Sequence, residues 1–270
     1  MTMICFASQK GSPGVTLAAL TVAASWPADE SRHKLLLEAD PSGGTLALRY
    51  GLGLQTSLVT LAVAARAGLD DATLADHTQE LPGGLPAILA PDGPSQVAAA
   101  LEASGSSIAS WLVDHPTLDT VVDLGRLTDA SLPFVSAADV LLMVARPDVE
   151  HLQPTARRMA DLAGAVLSVG WVLIGDGPHA AEEVAETYGY PVVAVLPHDP
   201  RSAAAITTGA GSRRLTRSPL IRAASSTAHQ LHAFLHPELA AASATGEPEH
   251  ETAQSPPDRP EPALITGEAQ

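Results

Sequence analysis

Nine residues decide the fold of this chain: Ser8-Gln9-Lys10-Gly11-Ser12-Pro13-Gly14-Val15-Thr16. An apolar run precedes them at 3–7, and an apolar run of helical composition follows at 17–26. A buried strand, a loop of small residues and a helix in that order bind phosphate, because N–H groups of the loop and of the helix start converge on an anion. The stretch therefore predicts a phosphate loop.

This loop departs from the usual pattern at one position that matters for binding. The usual loop ends in Gly-Lys followed by Ser or Thr, with the lysine on the outer phosphates and the hydroxyl on Mg²⁺. Here Thr16 keeps the hydroxyl, whereas Val15 stands at the lysine position. The lost contact is charge-assisted and worth about 1.5 to 3 kcal/mol, so we expect weak nucleotide binding and slow turnover. The alternative is a strand-to-helix turn that binds nothing.

Apolar runs and helix-length segments alternate along most of the chain. Short continuous apolar runs predict buried strands at 3–7, 35–37, 87–89, 120–122, 140–145, 169–174 and 192–196. The intervening composition predicts helices at 16–25, 57–67, 95–114, 132–137, 149–163, 180–188 and 219–235. Continuous rather than alternating apolar strands indicate a sheet that is covered on both faces. The predicted fold is α/β, a mostly parallel, doubly wound sheet.

Carboxylates follow two of the predicted strands. The second strand leads into Glu38-Ala39-Asp40-Pro41-Ser42-Gly43-Gly44, and the fourth ends in Asp123-Leu124-Gly125-Arg126. Ligands of such sheets collect at the carboxyl ends of the strands. In phosphate-loop proteins an aspartate at this place holds Mg²⁺ beside the loop hydroxyl. An ordinary strand-end carboxylate before a turn is the alternative for each acid.

The loop resembles the deviant phosphate loop of the MinD/ParA family of P-loop ATPases, in the SIMIBI class. That family's pattern is Lys-Gly-Gly-x-Gly-Lys-Thr-Thr, and the matching residues are Lys10, Gly11, Gly14 and Thr16. Ser12, Val15 and Leu17 depart from it. The acids after the second and fourth strands come in the family's order, and the resemblance extends over residues 3 to 235. It implies the P-loop NTPase fold and binding of ATP with Mg²⁺.

The resemblance also implies a role for each site residue. The nucleotide would be held by Lys10, Gly11, Ser12, Pro13, Gly14, Val15 and Thr16. Lys10 would reach across a nucleotide-sandwich homodimer to the partner's phosphates, and Asp40 would orient the attacking water, so these two would be the catalytic residues. Thr16 and Asp123 would hold Mg²⁺. Asp176 stands in the region where the family often carries an asparagine that contacts adenine.

Two functional hypotheses follow from these residues. The first is a slow ATPase that dimerises with nucleotide and acts in cellular positioning, chromosome partitioning, cell division, or assembly of a pilus or secretion apparatus. The second is a catalytically inactive pseudo-ATPase that serves as a scaffold for a protein partner of such machinery. A biosynthetic ligase of the same superfamily fits less well, because nothing in the sequence resembles a dedicated small-molecule pocket.

Composition restricts the partners of the chain. Its 270 residues carry a net charge of −15, which argues against general attraction to nucleic acid or to anionic membranes. Arginines of 200–237 form too sparse a group to predict DNA binding, and a solvated face is favoured: Arg201, Arg213, Arg214, Arg217 and Arg222. The single cysteine, Cys5, excludes a disulfide within the chain. The beginning of the sequence does not resemble a secretion leader, so we expect a cytoplasmic protein.

The last part of the chain differs from the rest. Residues 237–270 are acidic and rich in proline, with too little apolar surface to offset the entropy of ordering. We therefore predict a MinD/ParA-like P-loop ATPase domain at 1–236 and a disordered tail at 237–270. An acidic, proline-rich tail is the opposite of a basic amphipathic membrane anchor, so we expect no direct membrane attachment.

Overall fold

A computed structural model of the chain describes residues 2–11, 13–27, 31–209 and 217–239. The strands described are β1 Thr2–Ser8, β2 His33–Glu38, β3 Gln79–Leu81, β4 Leu85–Ile88, β5 Leu118–Arg126, β6 Val140–Ala145, β7 Ser168–Ile174 and β8 Val192–Leu196. The helices described are α1 Val15–Ala24, α2 Leu46–Tyr50, α3 Leu58–Ala65, α4 Asp71–Asp76, α5 Pro94–Asp114, α6 Leu132–Ala137, α7 Val149–Leu162, α8 Ala181–Tyr188, α9 Pro200–Thr207 and α10 Pro219–Leu235.

The strands form one sheet in the order β3-β4-β2-β5-β1-β6-β7-β8. Every neighbouring pair is parallel except β3 and β4, which pair antiparallel at one edge. Strands β2, β5 and β1 are adjacent, with Phe6 and Glu38 both in register with Asp123. The carboxyl ends of these three strands therefore meet at one place on the sheet.

Side chains of each central strand point alternately to two separate apolar clusters. On β1, Met3 and Cys5 join one cluster, whereas Ile4 and Phe6 join the other. The first cluster also contains buried residues of α3, α5, α6, α7 and α8, and the second those of α1, α2 and α10. Burial on both faces explains the continuous apolar strands. The predicted doubly wound α/β fold is confirmed.

All seven predicted strands and seven predicted helices are present, with small differences at their ends. The strand β3 and the helices α2, α4 and α9 were not predicted. Predictions for Ser12, Arg213, Arg214 and the tail from residue 240 fall outside the described residues.

Described residues up to Leu235 belong to one compact unit, and residues 236–239 are assigned to a second. Among the helices that the structure describes, none combines the length and the apolar character needed to cross a membrane.

Candidate functional site

The predicted phosphate loop connects β1 to α1 at the carboxyl end of the sheet. Gly14 is the N-cap of α1 and has the left-handed values φ 105 and ψ 30, which favour glycine. It provides no side-chain cap, so the first N–H groups of α1 stay available for another acceptor. The positive end of the helix dipole adds to this preference for an anion.

Val15, at the lysine position, packs beneath the loop. Its side chain is 5% exposed and belongs to the apolar cluster that contains Ile4, Phe6 and Leu142. A cavity of about 470 Å³ nevertheless remains open above the start of α1. With Val15 in place of the usual lysine, the loop lacks that cation. The valine side chain does not fill the space that a phosphate group requires.

This phosphate-loop cavity brings together residues from four parts of the chain. They are Ser8, Gly11, Gly14, Val15, Thr16 and Leu17 from the loop region, Asp40 and Ser42 after β2, Arg49 on α2, and Gly125 and Arg126 at the end of β5. The cavity thus contains backbone donors, a hydroxyl, a carboxylate and two guanidinium groups.

Asp123 lies beneath the cavity and is only 1% exposed. Its Oδ1 accepts a hydrogen bond of 3.0 Å from the Gly125 N–H, whereas Oδ2 has no partner of good geometry among the described residues. Burial raises the pKa of Asp123 to about 7. Hydrogen bonding from the Thr16 hydroxyl and from the Gly125 N–H opposes this rise, and the charges of Glu38 and Asp40 add to it. A buried carboxylate with an unused oxygen is costly unless a cation or proton accompanies it.

Glu38, by contrast, is fully engaged by the backbone. Its Oε1 accepts from the N–H groups of Thr45 at 2.6 Å and Leu46 at 3.0 Å, and its Oε2 from that of Ala90 at 3.1 Å. Burial raises the pKa of Glu38, and these three hydrogen bonds and the charge of Arg49 oppose the rise. Its contacts make Glu38 a structural residue that fixes the start of α2.

Asp40 lies half-buried in the wall of the cavity. Its Oδ1 accepts from the Ser42 N–H at 2.8 Å. Burial raises the pKa of Asp40, while hydrogen bonds from Ser42 and from the backbone of Arg126 oppose the rise. The carboxyl group packs against Gly125, where φ is +53 and an added Cβ would overlap Asp40. Asp40 is therefore held in place by both neighbouring loops.

A second cavity of about 600 Å³ adjoins the first and shares Gly14 and Leu17 with it. Its other walls come from the ends of β6, β7 and β8 and from α9, and include Arg146, Asp176 and His198. Asp199, also in the wall, is occupied as the N-cap of α9, where it accepts from Ser202. The phosphate-loop cavity is the smaller of the two, and the adjoining cavity is the larger. A nucleotide requires two such spaces, one for its phosphates and one for its base and sugar.

The structure collects most of the predicted site residues, but not all of them. Gly11, Gly14, Val15, Thr16 and Asp40 line the phosphate-loop cavity, and Asp123 lies below it. Pro13 lines the adjoining cavity instead. Lys10 is exposed and is not part of either wall.

Sequence reasoning missed two basic residues of the site, Arg49 and Arg126. Arg126 follows the Asp123 motif directly, and Arg49 is the one charged residue in the segment Leu46–Tyr50. An isolated charge in a short apolar segment after the second strand was the available signal. Its significance depends on α2, which was not predicted.

The donor set fits Mg²⁺. This ion prefers oxygen ligands and is bound by one or two carboxylates together with substrate phosphates. Asp123 offers a buried carboxylate oxygen without a hydrogen-bond partner among the described residues, and the Thr16 hydroxyl lies beside it. A cation at this place would neutralise the charge that burial makes costly.

Three solved structures are similar in fold to this chain. MinD of Pyrococcus horikoshii with Mg-ADP is 18% identical, with a TM-score of 0.69 over 88% of this chain and 98% of that one. A ParA family ATPase of Chlorobium tepidum is 17% identical, with a TM-score of 0.66 over 85% and 98%. The chain has the MinD/ParA fold. Cobyrinic acid a,c-diamide synthase of Mycobacterium smegmatis, with ADP and magnesium, is 17% identical, with a TM-score of 0.62 over 88% and 97%.

No protein-family model and no curated protein sequence matches the chain. The MinD/ParA fold thus rests on three-dimensional similarity. Since ATPases and a synthase both have similar folds, the fold alone does not decide the reaction. Function therefore has to be inferred from the residues of the two cavities.

Proposed function

We propose that the chain binds ATP with Mg²⁺ and acts as a slow, nucleotide-dependent dimeric switch of the MinD/ParA type. The observation that carries this proposal is the unpartnered oxygen of buried Asp123 next to Thr16, below an open cavity at the start of α1. Burial of the Asp123 carboxylate is unfavourable in the free protein. A bound Mg²⁺ ion, held together with the nucleotide, would neutralise its charge. Positioning, partitioning, or assembly of a pilus or secretion apparatus is the proposed setting.

In this proposal each residue has a role that its position supports. N–H groups of the loop and of the α1 start hold the phosphates. Thr16 and Asp123 hold Mg²⁺, which neutralises negative charge on the phosphates. Asp40 accepts a hydrogen bond from the water that attacks, since its carboxylate lies in the cavity wall and is fixed by Ser42 and Gly125. Base and sugar occupy the adjoining cavity.

One observation favours the second candidate, a binding scaffold without catalysis. Val15 provides no charge for the phosphates and is part of the core. Isothermal titration of the whole protein with Mg-ATP separates the two functions. We expect binding in the micromolar range, weaker than that of a loop with its lysine. Absence of binding at millimolar Mg-ATP would leave the scaffold as the function.

Hydrolysis depends on Asp40 in this proposal. We expect Asp40→Asn to lower the turnover number of the ATPase roughly 100-fold, because an amide cannot accept the proton of the attacking water as a carboxylate does. Affinity for Mg-ATP should change little, since the amide has the same shape beside Gly125. Phosphate release measured under saturating ATP tests this expectation, with Asp76→Asn, a change at an exposed residue of α4, as the matched control. Equal rates in both variants would exclude the role given to Asp40.

Dimerisation depends on Lys10. This residue is exposed and lies outside the cavity walls, as a residue that contacts a partner subunit would. We expect Lys10→Ala to leave Mg-ATP binding to the monomer nearly unchanged and to weaken ATP-dependent dimerisation at least about 100-fold, because a symmetric dimer loses two charge-assisted contacts, one from each subunit. Sedimentation velocity with a slowly hydrolysed ATP analogue measures the effect. A monomer that persists for the wild type at all nucleotide concentrations would refute the dimeric switch.

A further inference from the structure

The phosphate-loop cavity has an unfavourable charge for a polyphosphate. Asp40 lies in its wall, Asp123 lies beneath it, and Glu38 is in register with Asp123 on the adjacent strand. Val15 has replaced the lysine, and Lys10 is not part of the wall. A triphosphate next to carboxylates requires compensating cations. Mg²⁺ alone does not replace the direct contacts that the missing ammonium group would make.

Arg126 is one of two basic residues in the described wall. Its position is fixed by the strand ends: Arg126 is in register with Ser8, and the next residue, Leu127, donates its N–H to the Ser8 carbonyl at 2.9 Å. The backbone of Arg126 also contacts Asp40. The arginine side chain therefore starts from a rigid point between the phosphate loop and Asp40.

Arg49 contributes to the cavity wall from a different element, helix α2. It lies in the last turn of α2, and the start of that helix is fixed by the hydrogen bonds from Thr45 and Leu46 to Glu38. The end of α2 is fixed by the Tyr50 hydroxyl, which donates to the Ile206 carbonyl at 2.9 Å. The guanidinium groups of Arg49 and Arg126 are exposed and have no hydrogen bond or ion pair among the described residues.

We propose that Arg49 and Arg126 together replace the missing loop lysine and bind the phosphate groups of the nucleotide. Guanidinium groups suit this role because their N–H donors match two phosphate oxygens at once. The side chains of Arg49 and Arg126 start from fixed backbone positions and reach the cavity from its rim. A lysine at position 15 would reach it from the floor. The inference rests on the proposed nucleotide binding and identifies the cations on which that binding depends.

The experiment measures binding of two probes to the whole protein by isothermal titration. Mg-ATP reports on the nucleotide, and inorganic tripolyphosphate with Mg²⁺ reports on the phosphate site without base or sugar. We expect Arg49→Ala and Arg126→Ala each to weaken both probes roughly tenfold, and the double variant roughly 100-fold. Arg66→Ala, a change at the exposed C-cap of α3, is the matched control and should bind as the wild type does.

The two probes separate this inference from the proposed function. If the double variant binds both probes within twofold of the wild type, the arginines do not bind phosphate, while nucleotide binding stands. If the wild type binds neither probe at millimolar concentration, both proposals are wrong. Arginine-dependent binding of tripolyphosphate without binding of ATP would support the arginines and refute the nucleotide.

A rescue experiment tests whether the arginines replace the lysine in particular. Val15→Lys in the double variant should recover roughly tenfold in affinity for both probes, by restoring one charge-assisted contact. Val15→Met is the control, because it adds length without charge. Since Val15 is packed in the core, thermal unfolding of each variant is recorded first, and the single arginine variants decide the question if Val15→Lys does not fold. Equal recovery with methionine would contradict a role for charge.

Discussion

At pH 8, without metal or nucleotide, we expect the variant Asp123→Asn to be more stable to unfolding than the wild type, by about 3 kcal/mol. The reason is the burial of Asp123, which raises the pKa of its carboxyl group from 3.8 to about 7. At pH 8 the wild type must keep a buried negative charge, and Oδ2 of that group has no partner among the described residues. An amide of the same shape does not carry this cost.

The pH dependence of this effect has a definite sign. Between pH 4 and about 7 the folded protein keeps the proton on Asp123 that the unfolded chain has already released. Stability then decreases as the pH rises. Burial also raises the pKa values of Glu38 and Asp40, so these groups contribute in the same direction. Below pH 4, where the carboxyl group is neutral in both states, Asp123→Asn should have almost no effect.

Urea unfolding at pH 4, 6 and 8 in the presence of a chelator tests this prediction. The matched control is Asp76→Asn, which removes the same charge at an exposed residue and should not change the slope of stability against pH. A second measurement adds Mg-ATP: we expect it to stabilise the wild type more than Asp123→Asn, because the variant lacks the metal ligand. Loss of stability in Asp123→Asn at pH 8 would show that the carboxylate is already compensated within the protein.

Such a residue is a sign of function rather than of packing. A buried acid that lowers the stability of the free protein persists where its charge is used. Glu38 shows the contrast within the same site, because its two oxygens accept three backbone hydrogen bonds and leave nothing for a ligand. Both acids end apolar strands in the sequence, and only the structure distinguishes them.

The sheet could be predicted because its strands are buried on both faces. β6, with six buried residues, coincides with the apolar run 140–145. The edge strand β8 coincides with the run 192–196 although only Leu196 of it is buried. β5 runs four residues beyond the predicted 120–122, through Asp123 to Arg126. The polar residues in this part of β5 interrupt the apolar pattern, so the sequence does not indicate a strand there. The pairing of Arg126 with Ser8 on β1 extends the strand to this point. Apolar runs thus located the strands but underestimated the length of the one that contains Asp123.

The site could be predicted only in part, for a different reason. Asp40 comes just after β2, Asp123 ends the apolar run of β5, and Thr16 belongs to the loop motif after β1, so these local patterns located all three residues. Arg49 was missed because α2 has five residues and owes its start to hydrogen bonds with distant Glu38. No local pattern contains that information. The burial of the Val15 side chain likewise depends on residues such as Leu142, in the same apolar cluster but distant in sequence.

Gly125→Ala is expected to lower the free energy of unfolding by about 2 to 5 kcal/mol. Part of the loss comes from the backbone, because φ is +53 at Gly125 and left-handed geometry costs a residue with a Cβ about 1 to 2 kcal/mol. The rest comes from overlap, since the added Cβ would occupy the place of the Asp40 carboxyl group. Either that group or the end of β5 has to move.

The backbone around Gly125 has little freedom to move. Its carbonyl accepts from the Ser8 hydroxyl at 3.2 Å, and its N–H donates to Asp123 at 3.0 Å. A shift of this residue would therefore disturb both Ser8, at the start of the phosphate loop, and Asp123. We expect Mg-ATP binding to be lost along with stability, although Gly125 has no side chain to contact a ligand.

Two further variants separate the backbone cost from the overlap. Gly189→Ala is the matched control, because φ is +74 there and an added Cβ meets nothing within 4 Å; it should cost only the backbone part. The double variant Gly125→Ala, Asp40→Ala removes the overlapping carboxyl group, so we expect it to be more stable than Gly125→Ala alone. Additive losses from the two changes would mean that Asp40 and Gly125 are not in contact, and the position assigned to the water-orienting carboxylate would have to be abandoned.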